Sequence, residues 1–434
     1  METTIGVRRG TQDTLPNRLL WLAVLLLPIT GLSGISAFGE MKGSATVYVL
    51  AATILVAATT QFSKIQIPRS LFVFTACLLT WLLVSTTVNF EGILTSVFHG
   101  RGGFNKFATS SVVLIFGIAS AIVCTRSFQR VSDVERLFVN PLIAAIIACA
   151  IFAIPEILSW FSSAGELLYK ITTGLLHTAE HEKGRAPGRL ISLAFEAPDL
   201  SYFCGFACPW ALFAYRLRAK NHSLLSAPIL AGLPLLLAVI MLLLSNSRTG
   251  LLMLGGLIFA ELLYWLLMRG MRLGALALLA VIPVFAAIVF VPWFALQNVD
   301  ATLAASDVST TSRLALFSAQ MSIFANNPVF GVGFGQFGFH AYPVHVAGRL
   351  GAELGMPGLM IWYSFWVVAI FRISQAAARL RRDSPLNFLN VALLGSIFSL
   401  ILGGMSNDPF RRPETWILMA IVSLHAGRTS ERSA

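Results

Sequence analysis

The sequence predicts an all-α, polytopic membrane protein with about twelve transmembrane helices, and three observations carry that reading. Only 12% of the residues are charged and 56% are hydrophobic, about half the charge of a soluble domain; mean hydropathy is +0.77. Apolar runs recur at the ~20 residues a helix needs to cross a bilayer, without the short alternating segments of a transmembrane barrel. Lys and Arg collect in alternate short connections, the bias that orients helical membrane proteins.

Along the chain the apolar runs fall at 19–38, 46–62, 70–88, 109–124, 138–158, 198–215, 224–244, 250–268, 273–292, 356–373, 388–405 and 415–427. The first follows Arg8, Arg9 and Arg18 and lacks a clear small-residue cleavage site, so it reads as a retained span rather than a signal peptide. With the N-terminus inside, the inner connections hold most of the 31 Lys and Arg, Arg216, Arg218 and Lys220 among them. Both termini are therefore expected in the cytoplasm. The net charge of +11 follows from this placement and points to a membrane surface, not to nucleic acid. Cys77, Cys124, Cys149, Cys204 and Cys208 all lie in apolar runs and read as small buried hydrophobes. Cys204 and Cys208 sit one helical turn apart but lack companion ligands for a tetrahedral metal site.

Two connections break the rhythm, 159–198 and 293–355, and both fall on the outer side. The chain thus reads as one integral membrane domain, 1–434, with two long outer loops; Gly184 and Asp307 should lie outside. Leu167, Leu168, Ile171 and Leu175 give residues 164–176 an amphipathic pattern, which predicts an interfacial or re-entrant helix. The second loop is glycine-rich, aromatic and histidine-bearing, and long loops held between spans are where binding and chemistry concentrate.

Candidate residues cluster at these outer elements. Arg248 lies in S-N-S-R-T-G over 245–250, a turn between two apolar runs. It either snorkels to headgroups or, with Ser247 and its polar neighbours, grips a phosphate through the two-pronged guanidinium. Arg313, in T-T-S-R over 310–313, would fall in the first turn of an amphipathic helix capped by Thr311 or Ser312. A cation there opposes the helix dipole and calls for an anion. Arg189, Glu196 and Asp199 close the first long loop. Carboxylates near membrane depth are functional by default, although Asp199 also suits a cap. Gly331, Gly333, Gly335 and Gly338 permit turns and close backbone approach to a ligand, but no phosphate-loop motif is present. His340 and His345 follow, each suited either to hydrogen-bonded structure or to proton transfer. Arg349 and Glu353 share an i,i+4 face and read as a salt bridge.

These motifs, taken in order, resemble the O-antigen ligase and polymerase superfamily. The resemblance rests on S-N-S-R-T-G (245–250), T-S-R (311–313), N-P-V-F-G-V-G-F-G-Q-F (327–337) and A-E-L-G-M-P-G-L (352–359). It implies a membrane-embedded, GT-C-like inverting glycosyltransferase needing neither metal nor other cofactor. Its donor would be a glycan on undecaprenyl pyrophosphate at the periplasmic face of a bacterial inner membrane. The family's essential arginines correspond to Arg248 and Arg313. The family's ligases also carry a loop histidine in H-N-x-x-L; here the stretch reads H-V-A-G-R-L from His345, with no Asn after the histidine. The run G-R-L-I-S-L-A-F-E-A-P-D-L-S-Y-F over 188–203 is similar to an R…E-P element of sugar polymerases, with Ala197 inserted between Glu196 and Pro198. The resemblance therefore favours a polymerase of O-antigen or exopolysaccharide repeat units, with ligation to lipid A-core as the alternative.

On this reading Arg248, Arg313 and Arg189 stabilise the charge that grows on the pyrophosphate. Glu196, His345 and His340 are the candidate bases for the acceptor hydroxyl, and Ser247, Arg349 and Glu353 support the site. Partners would be the lipid-linked donor, a glycan or lipid A-core acceptor, membrane lipids, and a chain-length regulator or flippase. A polysaccharide or lipid transporter is the rival class, but it would place ionisable residues at mid-span, whereas here polarity gathers outside.

Overall fold

The structure, a computed structural model, describes residues 14–30, 44–61, 66–98, 101–176, 188–194, 196–221, 226–269, 318–337, 346–405 and 408–429. The expected span at 273–292, and Gly184, Asp307, Arg313, Gly338, His340 and His345, lie outside these residues.

The helices are α1 (Leu15–Leu25), α2 (Ser44–Gln61), α3 (Arg69–Val88), α4 (Phe90–Thr95), α5 (Gly103–Ser127), α6 (Val131–Ser159), α7 (Ser163–Leu176), α8 (Ala197–Asn221), α9 (Ser226–Leu244), α10 (Arg248–Met268), α11 (Val346–Arg379), α12 (Pro385–Gly403) and α13 (Pro413–His425). Among the described residues, six of these, α3, α5, α6, α10, α11 and α12, are long and apolar enough to cross a membrane. Shorter apolar stretches lie in α1, α2 and α9. An all-α polytopic membrane protein results, with one small antiparallel hairpin. Its strands β1 (Val97–Phe98) and β2 (Arg101–Gly102) pair Val97 with Gly102 and Phe98 with Arg101.

Burial sorts the helices into centre and rim. The span window of α12 is 89% buried whereas that of α3 is 28% buried, so α12 sits centrally and α3 faces lipid. Exposed Phe72, Leu83, Ile258 and Leu262 on α3 and α10 carry no penalty in hydrocarbon, where helix association relies on close packing rather than burial from water. Small residues set the closest crossing. Gly256 of α10 lies against the backbone of Phe398 and Ser399 on α12, where any side chain would collide, and the Ser399 hydroxyl donates to the Met253 carbonyl at 2.8 Å. Trp362, Phe410 and Trp416 fill the space between α11, α13 and the connection before α13, with ring centroids 5.3 to 6.2 Å apart.

α11 is two helices joined at Gly355, whose φ of 68° and ψ of −169° break the helical path. The longer, apolar half begins at Met356, where the sequence places the start of a span, and Pro357 fits its first turn. α7 forms as the amphipathic pattern predicts. It folds back on the end of α6, with Gly165 against the backbone of Leu158 and Ser159, and leaves Leu167, Leu168 and Ile171 exposed.

Connections between helices meet at two opposite ends of the bundle. At one end Ser127 donates to Asn17, His425 meets the Phe128 carbonyl, Arg216 pairs with Glu261 and Arg382 donates to the Met268 carbonyl. This end carries the basic connections. At the other end the two long loops meet the turn before α10 and the connection between α12 and α13. The predicted site residues that are described lie there.

Candidate functional site

The first long loop ends in a tight fold, 188–194, fixed from below by a buried carboxylate. Glu156, near the end of α6, accepts backbone N–H bonds from Ile191 at 2.9 Å and from Ser192 at 2.7 Å. Ser192 has a φ of 53° and donates its hydroxyl to the Cys149 carbonyl. So anchored, the loop reaches the turn before α10. The Leu190 amide donates to the Leu244 carbonyl at 3.1 Å, and Arg189 Nε donates to the Ser245 carbonyl at 3.3 Å. Arg189 and the turn bearing Arg248 thereby become neighbours, although they are far apart in sequence.

That turn is shorter than the sequence suggests. α10 starts at Arg248, leaving only 245–247 outside the helices. Ser245 is buried and its hydroxyl donates to the Leu242 carbonyl; Ser247 and Thr249 are buried as well. Of the expected hydroxyl, amide and guanidinium array, only Asn246 and Arg248 are exposed. The reason is local: Ser245 finds a free carbonyl at the end of α9, and Ser247 occupies the N-cap of α10. The Ser247 side chain makes no cap bond, and the N-terminal end of a helix favours an anion. Arg248 projects from this same turn.

Glu196 precedes α8. Its carbonyl accepts from the amides of Asp199 and Leu200, and the residue is half-buried. Asp199 is engaged elsewhere: it pairs with Arg412 at 2.5 Å, and the Arg412 guanidinium lies 4.1 Å from the Tyr202 ring centre. Burial alone would push the Arg412 guanidinium toward losing its proton, but the nearby carboxylates of Asp199 and Glu414 outweigh this and hold it charged.

The glycine-rich segment serves a different purpose from the one its sequence suggests. Gly331, Gly333 and Gly335 have φ values of 65°, 98° and 77°, yet the close backbone approach is to the protein itself. Val332 and Gly333 donate to the carbonyls of Ala352 and Glu353, and Met356 donates to the Pro328 carbonyl. Trp81 stacks on Phe330 at 5.6 Å, and Ser85 donates to the Phe330 carbonyl. Gln336 reaches the hairpin, bonding the Gly103 carbonyl and the Ser96 hydroxyl. The segment is a clasp that holds the short half of α11 against α3 and α5.

Arg349 and Glu353 form the expected salt bridge, at 3.2 Å, and both are fully buried. Sequence reasoning missed their third partner. Asp408 pairs with Arg349 at 2.6 Å and with Arg411 at 3.4 Å. The connection D-P-F-R-R-P-E over 408–414 is thus a hub, tying α11 through Arg349 and α8 through Arg412. Its signal was present: two arginines flanked by prolines and acids on the expected outer side, against the general charge bias.

Residues 233–363 match the family model described as O-antigen ligase. The match supports the resemblance of this part of the chain to the O-antigen ligase/polymerase superfamily. No curated protein matches the chain. The matched span runs from α9 through the turn bearing Arg248 and the clasp to the apolar half of α11, and its family activity is glycan transfer of the O-antigen ligase/polymerase type. Of the residues the sequence singles out, the structure brings together Arg189 and the turn of Arg248, and separately Arg349 and Glu353. Arg313, His340 and His345 lie outside the described residues. Among the described residues, no group of three or more His, Cys, Asp or Glu gathers.

Proposed function

We propose that the protein polymerises O-antigen or exopolysaccharide repeat units at the periplasmic face of the inner membrane, with both termini cytoplasmic. The donor is a glycan on undecaprenyl pyrophosphate and the acceptor is a second glycan. The observation that supports this most is the contact of Arg189 with the 245–247 turn, which sets one predicted phosphate-binding arginine against the turn that leads into the other, at a helix end the Ser247 side chain does not cap. Two guanidiniums and first-turn amides suit a diphosphate, which offers several acceptor oxygens.

The proposed reaction is a single inverting displacement. The acceptor hydroxyl attacks the anomeric carbon from the face opposite the lipid diphosphate, the anomeric C–O bond breaks, and the electron pair leaves on the diphosphate. Arg248, Arg189 and Arg313 stabilise that charge without a metal. Glu196, His345 and His340 are the candidates to accept the hydroxyl proton. The base is expected in that order, since Glu196 is the half-buried carboxylate at the end of the loop that carries Arg189. Ligation to lipid A-core is the second reading, favoured by the O-antigen ligase description of the family match.

Deletion of the gene, with complementation by wild type and by alanine variants at these three positions, tests both choices. Loss of long chains with single repeat units retained is expected. Lipid-linked polymer accumulating beside bare lipid A-core would replace the polymerase by a ligase. In purified enzyme the true base should lose about 10²–10⁴-fold in rate when changed to alanine; three active variants would remove base catalysis by these residues.

A further inference from the structure

At the basic end of the bundle, opposite the site, a cavity of about 560 Å³ opens between α3, α11 and α13. Its floor is apolar, built from residues such as Phe74, Phe365 and Val422, and Val73 and Val368 stand at its open side. Its polar lining is Arg69, Ser70, Ser364, Arg372 and Ser423, and none of its lining residues is acidic. Among the described residues neither Arg69 nor Arg372 has an ion-pair partner. The Ser423 hydroxyl is buried without a hydrogen-bond partner.

The two arginines line the same cavity. α3 is 20 residues long, about 30 Å, the thickness of the hydrocarbon core, and Arg69 is its first residue. Arg372 follows the start of the apolar half of α11 at Met356 by about 24 Å. Both therefore stand near the boundary between acyl chains and headgroups. Pro68, at the N-cap of α3, supplies no side-chain cap, so first-turn amides point to the same place with the positive end of the helix dipole. Below them the cavity continues as an apolar groove.

We propose that this groove binds an anionic phospholipid. Its phosphate would sit between Arg69, Arg372 and the first turn of α3, and an acyl chain would lie along Phe74, Phe365 and Val368. A zwitterionic lipid fits the same groove less well, because its cationic headgroup meets two guanidiniums and no carboxylate. The assignment is independent of the proposed glycan transfer.

Native mass spectrometry of the full-length protein, released from vesicles of equal phosphatidylglycerol and phosphatidylcholine, tests it. Wild type should retain phosphatidylglycerol several-fold over phosphatidylcholine, and Arg69→Gln with Arg372→Gln should bring the two to parity. Val368→Trp, which keeps both arginines and fills the groove, should lower retention of either lipid and guards against a poorly folded double variant. Equal retention of both lipids by wild type, or an unchanged preference in both variants, would overturn the proposal. So would a dimer that Val368→Trp dissociates, since a second copy would then be the occupant.

Discussion

The two ends of the bundle are held by different physics. At the site end, two arginines are buried in ion pairs: Arg349 serves Glu353 and Asp408, and Arg412 serves Asp199, whereas the Lys170–Glu166 pair on α7 is exposed. At the basic end, the pairs described are wetter. Arg216 and Glu261 are about a quarter exposed and Arg381 and Asp383 are largely exposed. A buried charge is tolerated only where its partners are fixed, so the site end must hold one arrangement of its connections. The exposed pairs at the basic end make no such demand. In the proposed reaction a set of preorganised cations would need a rigid base, which the buried pairs can provide.

Breaking the buried set should have the largest effect on stability. Arg349→Leu leaves two carboxylates without their shared cation and should cost about 3–5 kcal/mol, read as a fall in thermal unfolding midpoint and in membrane abundance. A midpoint near wild type would mean that Asp408 and Glu353 are held by other groups, and the contrast between the ends would weaken.

Gly355→Ala should come next. Its φ of 68° disfavours a side chain, and a Cβ there would collide with the Val329 carbonyl. A loss of about 1–3 kcal/mol is expected from the strained backbone alone. The clasp should loosen as well, measured as faster amide exchange at Val332, Gly333 and Met356. Unchanged exchange at those amides would show that the clasp does not depend on the break in α11.

The smallest effect is expected at the other end. Arg216→Ala removes a partly exposed pair and should cost about 0.2–1 kcal/mol. A loss as large as that of Arg349→Leu would erase the distinction between the ends.

Much of this fold was legible in the sequence because spans and amphipathic faces are local patterns. The span beginning at Met356, the helix at Ser163–Leu176 and the Arg349–Glu353 pair all depend on neighbours within a few residues. The partners of the connection 408–412 were not legible, since they are 59 and 213 residues away and only helix docking brings them near. The glycine-rich segment illustrates the same limit. Its positive φ angles follow from composition, but whether the freed space admits a ligand or another strand of backbone is decided by what docks there. The 245–247 turn lost its expected hydroxyls for a simpler reason: Ser245 met a carbonyl of α9 before it met solvent.

We propose that guanidiniums at the start of α10, and not a metal, take up the charge on the leaving diphosphate. The most direct test is glycan transfer by purified protein from a lipid-diphosphate donor in excess EDTA, with wild type beside Arg248→Lys. Lysine keeps the charge but loses the two-pronged grip. Wild type should transfer at full rate in EDTA, and Arg248→Lys, at normal abundance, should fall by about 10²–10³-fold, as when a preorganised donor is removed. Wild-type activity abolished by EDTA and restored by Mg²⁺ or Mn²⁺, or an Arg248→Lys enzyme that transfers at the wild-type rate, would contradict the account.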